Sequence, residues 1–397
     1  MRSLPAWAVA LLLWGVAAGA DFHTIDGKTT IGELKAVDAK GMLTVQPENG
    51  AATRLPADEV MRIDFTEDVE PDELLEGVIL YLPHGDRMGG KLVKSSQTSL
   101  EIESASLGKV KLSLENLIAI EFRRAGEQLK DIEKMRAQLL NNRTRNDVSF
   151  SANGDQVSGI LVGFDGNTVA LKSSLGNISL KTSRLFGVAL AARSRRPPPP
   201  TLLAVVRCMD GSRVTGQLRP APAGGLTLQL LAGPQVRVAK GQLIDVVFKQ
   251  GKLVYLSDLK PSAQKVTPYF GGDPTWPYRR DRNYDGKPIR VAGKTYQKGL
   301  GMFSGMTLTY DLGGGFKKFA ARVGIDDADI NNQGDVTVRV LADGKEAYKK
   351  AGLTRRGGPA AVQLSMEAVK TLQLVVEFGG NMHFGDLTDW ANAHLIR

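Results

Sequence analysis

Two polar stretches near the C-terminus of this 397-residue chain carry the side chains best suited to binding a ligand. The first contains Asp326, Asp327, Asp329, Asn331 and Gln333, and the second contains Asn381, His383, Asp386, Asp389 and Trp390. Carboxylate, amide and imidazole groups exchange hydrogen bonds with a polar ligand, and an indole ring offers a flat apolar face. The stretches are distant in sequence, so only the fold can bring them together.

The spacing Asp327-x-Asp329-x-Asn331 resembles the beginning of a calcium-binding loop. The twelfth position of an EF-hand loop requires a bidentate Glu, but Val338 stands there, so the stretch is not an EF-hand. Asp327 and Asp329 remain the candidate metal ligands. The sequence requires no cofactor, and it leaves open a calcium ion at these two carboxylates.

Other metal and catalytic chemistry has little support. Cys208 is the only cysteine, which excludes an intrachain disulfide and a cysteine-based zinc site, and the four histidines are widely separated. A glycosidase needs two carboxyl groups about 5–10 Å apart in a substrate-sized cleft. Small β units offer no such groove, so we expect a protein that is not an enzyme.

Before residue 253 the chain repeats one pattern four times. Gly-x4-Gly-x-Leu begins at Gly27, Gly85, Gly154 and Gly211, and alternating apolar and polar residues follow each copy. A period of two residues, interrupted by turns such as Asp-Gly, predicts β-hairpins. We expect four small SH3-like or Sm-like barrels at residues 21–68, 77–122, 147–192 and 201–252. Units this small are marginal alone and should pack in pairs or against neighbours.

The first 20 residues predict a secretory signal peptide. They have a basic start, an apolar run and the cleavage site Ala18-Gly19-Ala20, and the run is too short to span a bilayer. The chain has no second apolar run of spanning length. We therefore expect a mature protein that has no transmembrane segment and is secreted, periplasmic or attached to the cell envelope.

Two inserts separate the repeats. Residues 123–146 place Leu129, Ile132, Met135 and Leu139 at helical spacing, which predicts one amphipathic helix that packs on its neighbours. Residues 193–200 join an Arg-rich run to four prolines and predict a stiff linker before the fourth repeat.

After the fourth repeat the sequence changes to a series of separated motifs. They are Trp276-Pro277-Tyr278-Arg279-Arg280-Asp281, Lys298-Gly299-Leu300-Gly301-Met302-Phe303-Ser304, Leu308-Thr309-Tyr310-Asp311-Leu312-Gly313-Gly314, Val323-Gly324-Ile325-Asp326-Asp327 and Asp389-Trp390-Ala391-Asn392-Ala393. In this order and spacing, residues 254–397 resemble the NPCBM family of carbohydrate-binding modules. The resemblance implies a jelly-roll β-sandwich, and the alternating runs 336–340 and 372–376 agree with that class. The expected fold is therefore all-β, with one helical insert.

The resemblance also implies non-catalytic glycan binding, with galactose-type sugars known in the family. Sugars present C–H faces to aromatic rings and hydroxyl groups to planar polar groups. The candidate contacts are therefore Asp326, Asp327, Asn331, Gln333, His383, Asp386 and Trp390. Trp390 has an alternative role as a buried core anchor. Family members often carry His where this chain has Phe303, so its ligand can differ from theirs.

The net charge of +9 is divided unevenly along the chain. Residues 1–122 are acidic overall, whereas the helical insert, the linker and the residues after 200 are basic. This dipole favours a protein partner or an anionic polymer, and no nucleic-acid motif accompanies the basic segments. The leading hypothesis is an exported glycan-binding protein with the repeats as spacer or assembly modules. The alternative is a cell-envelope structural or protein-interaction scaffold without sugar binding.

Overall fold

The computed structural model describes residues 19–66, 77–96, 98–124, 132–142, 144–165, 167–174, 176–191, 197–271, 277–329, 331 and 333–397. They form strands joined by short turns, with a single α-helix among them, α1 (Ile132–Leu140). The all-β prediction is confirmed. Most of the predicted signal peptide, Leu129 of the predicted helix and residues 193–196 of the linker lie outside the described residues. Within the described ranges, no helix is long and apolar enough to cross a membrane.

The part before residue 253 contains four β units of the same design. Unit 1 consists of β1 (Ala20–Thr24), β2 (Thr29–Val37), β3 (Met42–Gln46), β4 (Thr53–Pro56) and β5 (Val60–Asp64). Unit 2 consists of β6 (Gly77–Tyr81), β7 (Arg87–Ser95), β8 (Ser99–Ser104), β9 (Gly108–Ser113) and β10 (Ala119–Arg123). Unit 3 consists of β11 (Asp147–Ser151), β12 (Gln156–Phe164), β13 (Thr168–Ser173), β14 (Gly176–Lys181) and β15 (Leu185–Ala189). Unit 4 consists of β16 (Leu203–Cys208), β17 (Arg213–Arg219), β18 (Ala221–Pro222), β19 (Gly225–Leu230), β20 (Gln235–Ala239) and β21 (Leu243–Lys249).

Within each unit the first strand pairs with both the second and the last, as β1 pairs with β2 and β5. The middle strands extend the sheet as a meander, as β2, β3 and β4 do. A short 3-10 turn precedes each last strand, at Ala57–Glu59, Leu114–Asn116, Thr182–Arg184 and Lys240–Gln242. Two further 3-10 turns lie at Pro83–Gly85 and Leu256–Asp258.

The two glycines of the repeated pattern have separate tasks. Gly27, the first, has a φ of 87° in the hairpin turn, a conformation that side chains with a Cβ rarely adopt. Gly32, the second, lies so close to the next strand that a Cβ would come within 2.6 Å of the carbonyl oxygen of Gln46. The pattern therefore records a turn and a close approach of two strands.

The units do not close into separate barrels, which corrects that part of the prediction. The last strands of units 1 and 4 pair with each other, Asp64 opposite Asp245, and those of units 2 and 3 pair likewise, Ile120 opposite Val188. A further pairing of β7 with β17, Arg87 opposite Arg213, joins the two pairs of units, so all 21 strands belong to one hydrogen-bonded network. The pairing has a simple cause, since the open edge of each last strand would otherwise leave backbone N–H and C=O groups without partners.

The helix α1 is shorter than the predicted segment 123–146. Its buried Leu139 packs in a cluster with Val148, Phe150 and Phe186 of unit 3 and Tyr81 of unit 2. The helix thus covers the junction between units 2 and 3.

The C-terminal part is a sandwich of two antiparallel sheets. One sheet orders its strands as β24 (Arg279–Arg280), β27 (Gly299–Met302), β34 (Thr388–Ile396), β29 (Lys318–Ile325) and β32 (Ala360–Ser365), with β22 (Leu253–Tyr255) paired to β34. The other orders them as β23 (Ala263–Val266), β28 (Met306–Asp311), β33 (Thr371–Phe378), β30 (Asp335–Ala342) and β31 (Lys345–Thr354). A separate hairpin joins β25 (Ile289–Val291) and β26 (Lys294–Tyr296). Alternate residues of both sheets fill one core, so the predicted sandwich is confirmed.

A buried carboxylate connects the units with this sandwich. Asp245 on β21 is fully buried and accepts hydrogen bonds from Arg62 of unit 1 at 3.0 Å and from Arg207 of unit 4 at 2.7 Å. The side-chain amide of Gln297, just after β26, donates to the same carboxylate. One buried group therefore fixes three parts of the chain.

Candidate functional site

The loops at one end of the C-terminal sandwich bring the two polar stretches together. The Asp326 N–H donates to the carbonyl of Leu387 at 2.8 Å, and the Asp335 N–H donates to the Asp386 carboxylate at 3.1 Å. The Asn381 side-chain amide donates to the carbonyl of Gln333. The stretches predicted from sequence therefore form one loop cluster.

A group of rings covers part of this end, and we call Tyr269, Phe270, Phe303, His383 and Phe384 the aromatic surface. Tyr269, Phe270 and Phe384 are exposed, whereas Phe303 and His383 are half-buried. The His383 ring centre lies 4.9 Å from that of Phe384, 5.4 Å from that of Phe270 and 6.1 Å from that of Tyr269. Phe270 is 74% exposed and Phe384 is 50% exposed. Large apolar rings rarely stay this exposed in a contiguous group unless they contact a ligand or partner.

A tight turn presents the aromatic surface to solvent. Gly379 and Met382 form a bridge directly after β33, and Met382 has a φ of 69°, in the left-handed region. His383 and Phe384 follow at once, so the turn directs both rings outward. The Asn381 amide also donates to the carbonyl of Phe384 at 3.1 Å and holds the turn closed.

Polar groups border the aromatic surface. Gln333 and Asn331 are exposed, and the backbone carbonyl of Gln333 accepts a hydrogen bond from Asn381, two residues before His383. Asp386 is fully buried beneath the turn, and this burial raises the pKa of its carboxyl to about 6. Asp386 therefore supports the loop from below.

Asp326 also has a supporting position. It is 1% exposed and accepts hydrogen bonds from the Asn283 side chain, the Arg290 N–H and the Ala328 N–H at 2.8–3.1 Å. The buried carboxyl of Asp389 lies beside it. Burial, together with the hydrogen bond to Asp326 and its negative charge, raises the pKa of Asp389 well above its ordinary value. Both carboxyl groups are buried, and Asp326 holds the loops through its three hydrogen bonds.

Trp390 lies entirely inside the sandwich. It is 0% exposed and belongs to the core that contains Phe319 and Tyr310. Neither face of its ring can reach a ligand, so the prediction that it contacts sugar is corrected. The alternative role as a core anchor describes its position.

Asp327 lies at a second feature of the loop end, a cleft of about 800 Å³ that we call the basic cleft. The Ala292 and Gly293 N–H groups donate to its carboxylate at 3.1 and 2.8 Å. The guanidinium of Arg355 lies 3.5 Å from that carboxylate and that of Arg290 lies 3.9 Å away. Lys287 lines the same cleft.

The two predicted metal ligands do not converge. The carboxylate of Asp329 accepts hydrogen bonds from the Gln333 and Gly334 N–H groups at 3.2 and 2.9 Å, while that of Asp327 faces the basic cleft. In the described ranges, no three Asp, Glu, His or Cys side chains group as a metal site. Calcium binding remains a prediction, and it would require these carboxylates to give up their N–H donors.

Residues 252–396 match the family model described as the NPCBM/NEW2 domain. The C-terminal part of this chain is an NPCBM domain. A curated relative from Renibacterium salmoninarum, named "Putative endo-alpha-N-acetylgalactosaminidase", is 32% identical over 114 residues, or 28% of this chain. The chain spans only 7% of the length of that relative.

Solved structures similar to the NPCBM domain include two from Clostridium perfringens. One is the CBM51 module of a GH95 protein in complex with methyl-galactose, at 23% identity and a TM-score of 0.32, covering 36% of this chain and 99% of that one. Another contains the CBM51-2 and INT domains of ZmpB, at 24% identity and a TM-score of 0.33, covering 36% of this chain and 31% of that one.

Of the predicted sugar contacts, Asn331 and Gln333 are exposed and His383 is half-buried at the surface. Asp327 lines the basic cleft. The other three predicted contacts are buried: Asp326, Asp386 and Trp390. Sequence reasoning missed Tyr269, Phe270 and Phe384 as surface rings. The signal was present in Tyr269-Phe270 and His383-Phe384, aromatic pairs in which neighbours cannot both point into a sandwich core.

Proposed function

We propose that this chain is an exported, non-catalytic glycan-binding protein whose NPCBM domain holds a galactose-type sugar against the aromatic surface. The observation that carries the proposal is the contiguous exposed group of rings around His383, in a domain of a carbohydrate-binding module family.

The chemistry of galactose suits such a surface. One face of the galactose ring presents several C–H groups, which pack on the face or edge of an aromatic ring, while the hydroxyl groups point sideways. Phe270 and Phe384 supply exposed rings, and the His383 imidazole and the Gln333 amide supply groups that exchange hydrogen bonds. The buried partners need not move, because Asp386 and Asp326 already hold the loops in position.

The four β units hold the NPCBM domain in a fixed position. The Asp245 network attaches the sandwich to units 1 and 4, and Leu253 and Tyr255 of β22 pack against Val247 of unit 4. In the proposed function the four β units act as a spacer that carries the sugar-binding domain.

A glycan array probed with the full chain tests the proposal, once with calcium and once with a chelator. We expect binding to galactosides that is lost in His383→Ala and retained in His23→Ala, a half-buried histidine of unit 1. An array on which the folded chain binds no glycan would favour a scaffold without sugar binding. Binding only in calcium would return Asp327 and Asp329 to the site.

A further inference from the structure

The basic cleft is a concave feature of the NPCBM domain that the proposed function leaves unused. Its volume of about 800 Å³ lies within the range of small-molecule sites and can hold a sugar ring with a substituent. Two consecutive residues, Asn283 and Tyr284, connect the cleft with the aromatic surface. Asn283 lines the cleft, and the ring of the next residue, Tyr284, lies 5.1 Å from the ring of Phe303.

The basic side chains of the cleft are more available to a ligand than its carboxylates are. Its two carboxylates are engaged, Asp326 by three hydrogen bonds and Asp327 by two backbone N–H groups and two guanidinium groups. Each guanidinium has five N–H donors, more than these contacts use. The Arg290 side chain is 60% exposed, and the Lys287 ammonium is also at the surface. The cleft therefore offers cationic donors and few open acceptors.

The wall of the cleft that carries Arg290 and Arg355 is also held in place. Ala292, at the tip of the β25–β26 hairpin, has a φ of 52°, which is unfavourable for a residue with a Cβ. The Asp327 carboxylate accepts the N–H groups of Ala292 and Gly293 and so stabilises this turn. Arg355 is fixed from the other side, since its guanidinium donates to the carbonyl of Asp329 at 3.1 Å. Preformed donors of this kind favour a planar or tetrahedral anion.

We infer that the basic cleft binds the acidic group, carboxylate or sulfate, of a charged galactoside whose neutral ring packs on the aromatic surface. This inference rests on the proposed function and names its ligand class. Arg290 and Lys287 would contact the anion directly, while Arg355 and Asp327 position the wall.

Calorimetric titration of the full chain tests this, with methyl galactoside, galacturonic acid methyl glycoside, the methyl ester of that acid and galactose 6-sulfate as probes. We expect the free acid or the sulfate to bind roughly 10-fold or more tightly than the neutral sugar and the ester, because a hydrogen bond to a charged group contributes that much. The advantage should fall with added salt, as expected for exposed charges. Which of the two anions gains more identifies the acidic group.

The variants Arg290→Gln and Lys287→Gln should remove the advantage of the acidic sugar and leave the affinity for the neutral sugar unchanged. Arg322→Gln, an exposed arginine on β29 away from the cleft, is the matched control and should change neither. Equal affinity for the acid and its ester, or an advantage that survives both variants, would overturn the inference while galactose binding stands. Binding of the acid that depends on Arg290, with no binding of neutral galactoside, would instead overturn the proposed function and leave the cleft assignment standing.

Discussion

The imidazole of His383 stacks on the ring of Phe384, the next residue in the chain, with the ring centres 4.9 Å apart and the planes 20° apart. Consecutive side chains of a strand point in opposite directions, so this stacking requires the turn that begins at Met382. The turn thereby brings the rings of two neighbouring residues into contact at the loop end of the NPCBM domain.

Removing a ring from the aromatic surface should weaken sugar binding without unfolding the protein. Phe384 is 50% exposed, so Phe384→Ala creates no cavity, and we expect a loss of about 1 kcal/mol or more in galactoside binding, a several-fold fall in affinity. Titration calorimetry measures the affinity, and thermal melting checks the fold. Ile160→Ala, at a residue of unit 3 that is 60% exposed, is the control and should bind as the original chain does.

Trp390 should behave as a core residue. Trp390→Ala removes a fully buried ring, and we expect the free energy of unfolding to fall by about 3–5 kcal/mol. Denaturant unfolding followed by circular dichroism measures this change. Unchanged stability together with lost sugar binding would show that the ring contacts the ligand after all.

The buried carboxyl of Asp386 should make stability depend on pH. Its pKa is raised to about 6 in the folded protein by burial, so the folded state binds more protons than the unfolded state between about pH 4 and pH 6. The stability contributed by the neutral carboxyl is therefore present at low pH and decreases as the pH rises through about 6. Asp386→Asn should remove this decrease, so the difference in unfolding free energy between variant and original should grow with pH up to about 6 and then level off. A difference that stays constant from pH 4 to pH 8 would contradict the assignment.

The Asp245 network should couple the β units to the sandwich. Asp245→Ala removes the carboxylate shared by the buried Arg62 and the half-buried Arg207, although Arg62 keeps Asp64 as a partner, so we expect a cost at or below about 3 kcal/mol. We expect a clearly lower melting midpoint in differential scanning calorimetry. Glu103→Ala, at an exposed residue of β8, should leave the midpoint nearly unchanged.

Much of the fold could be predicted from short-range pattern. The spacing of Gly27 and Gly32 indicates a turn and a close approach of two strands inside one unit, and the period-two alternation indicates the strands themselves. The pairing of β5 with β21 could not be predicted in the same way. It joins Asp64 to Asp245, and nothing local in either strand specifies which other edge will cover it.

The site was predictable to a similar extent. The stretches that carry Gln333 and Asn381 were identified as candidates, and they do meet. The burial of Trp390 was not decided by the Asp-Trp motif, because the same residue type serves a core and a sugar-binding face equally well. Phe270 was overlooked for the opposite reason, since exposure depends on the loop conformation and not on the residue type.

Sugar binding at the aromatic surface is tested by calorimetric titration of the full chain with methyl galactoside, run in parallel on Phe384→Ala and Ile160→Ala. We expect saturable binding to one site per chain, lost or weakened several-fold in Phe384→Ala and unchanged in Ile160→Ala. Saturable binding of equal affinity in all three proteins, or no binding by the folded original chain, would contradict this expectation.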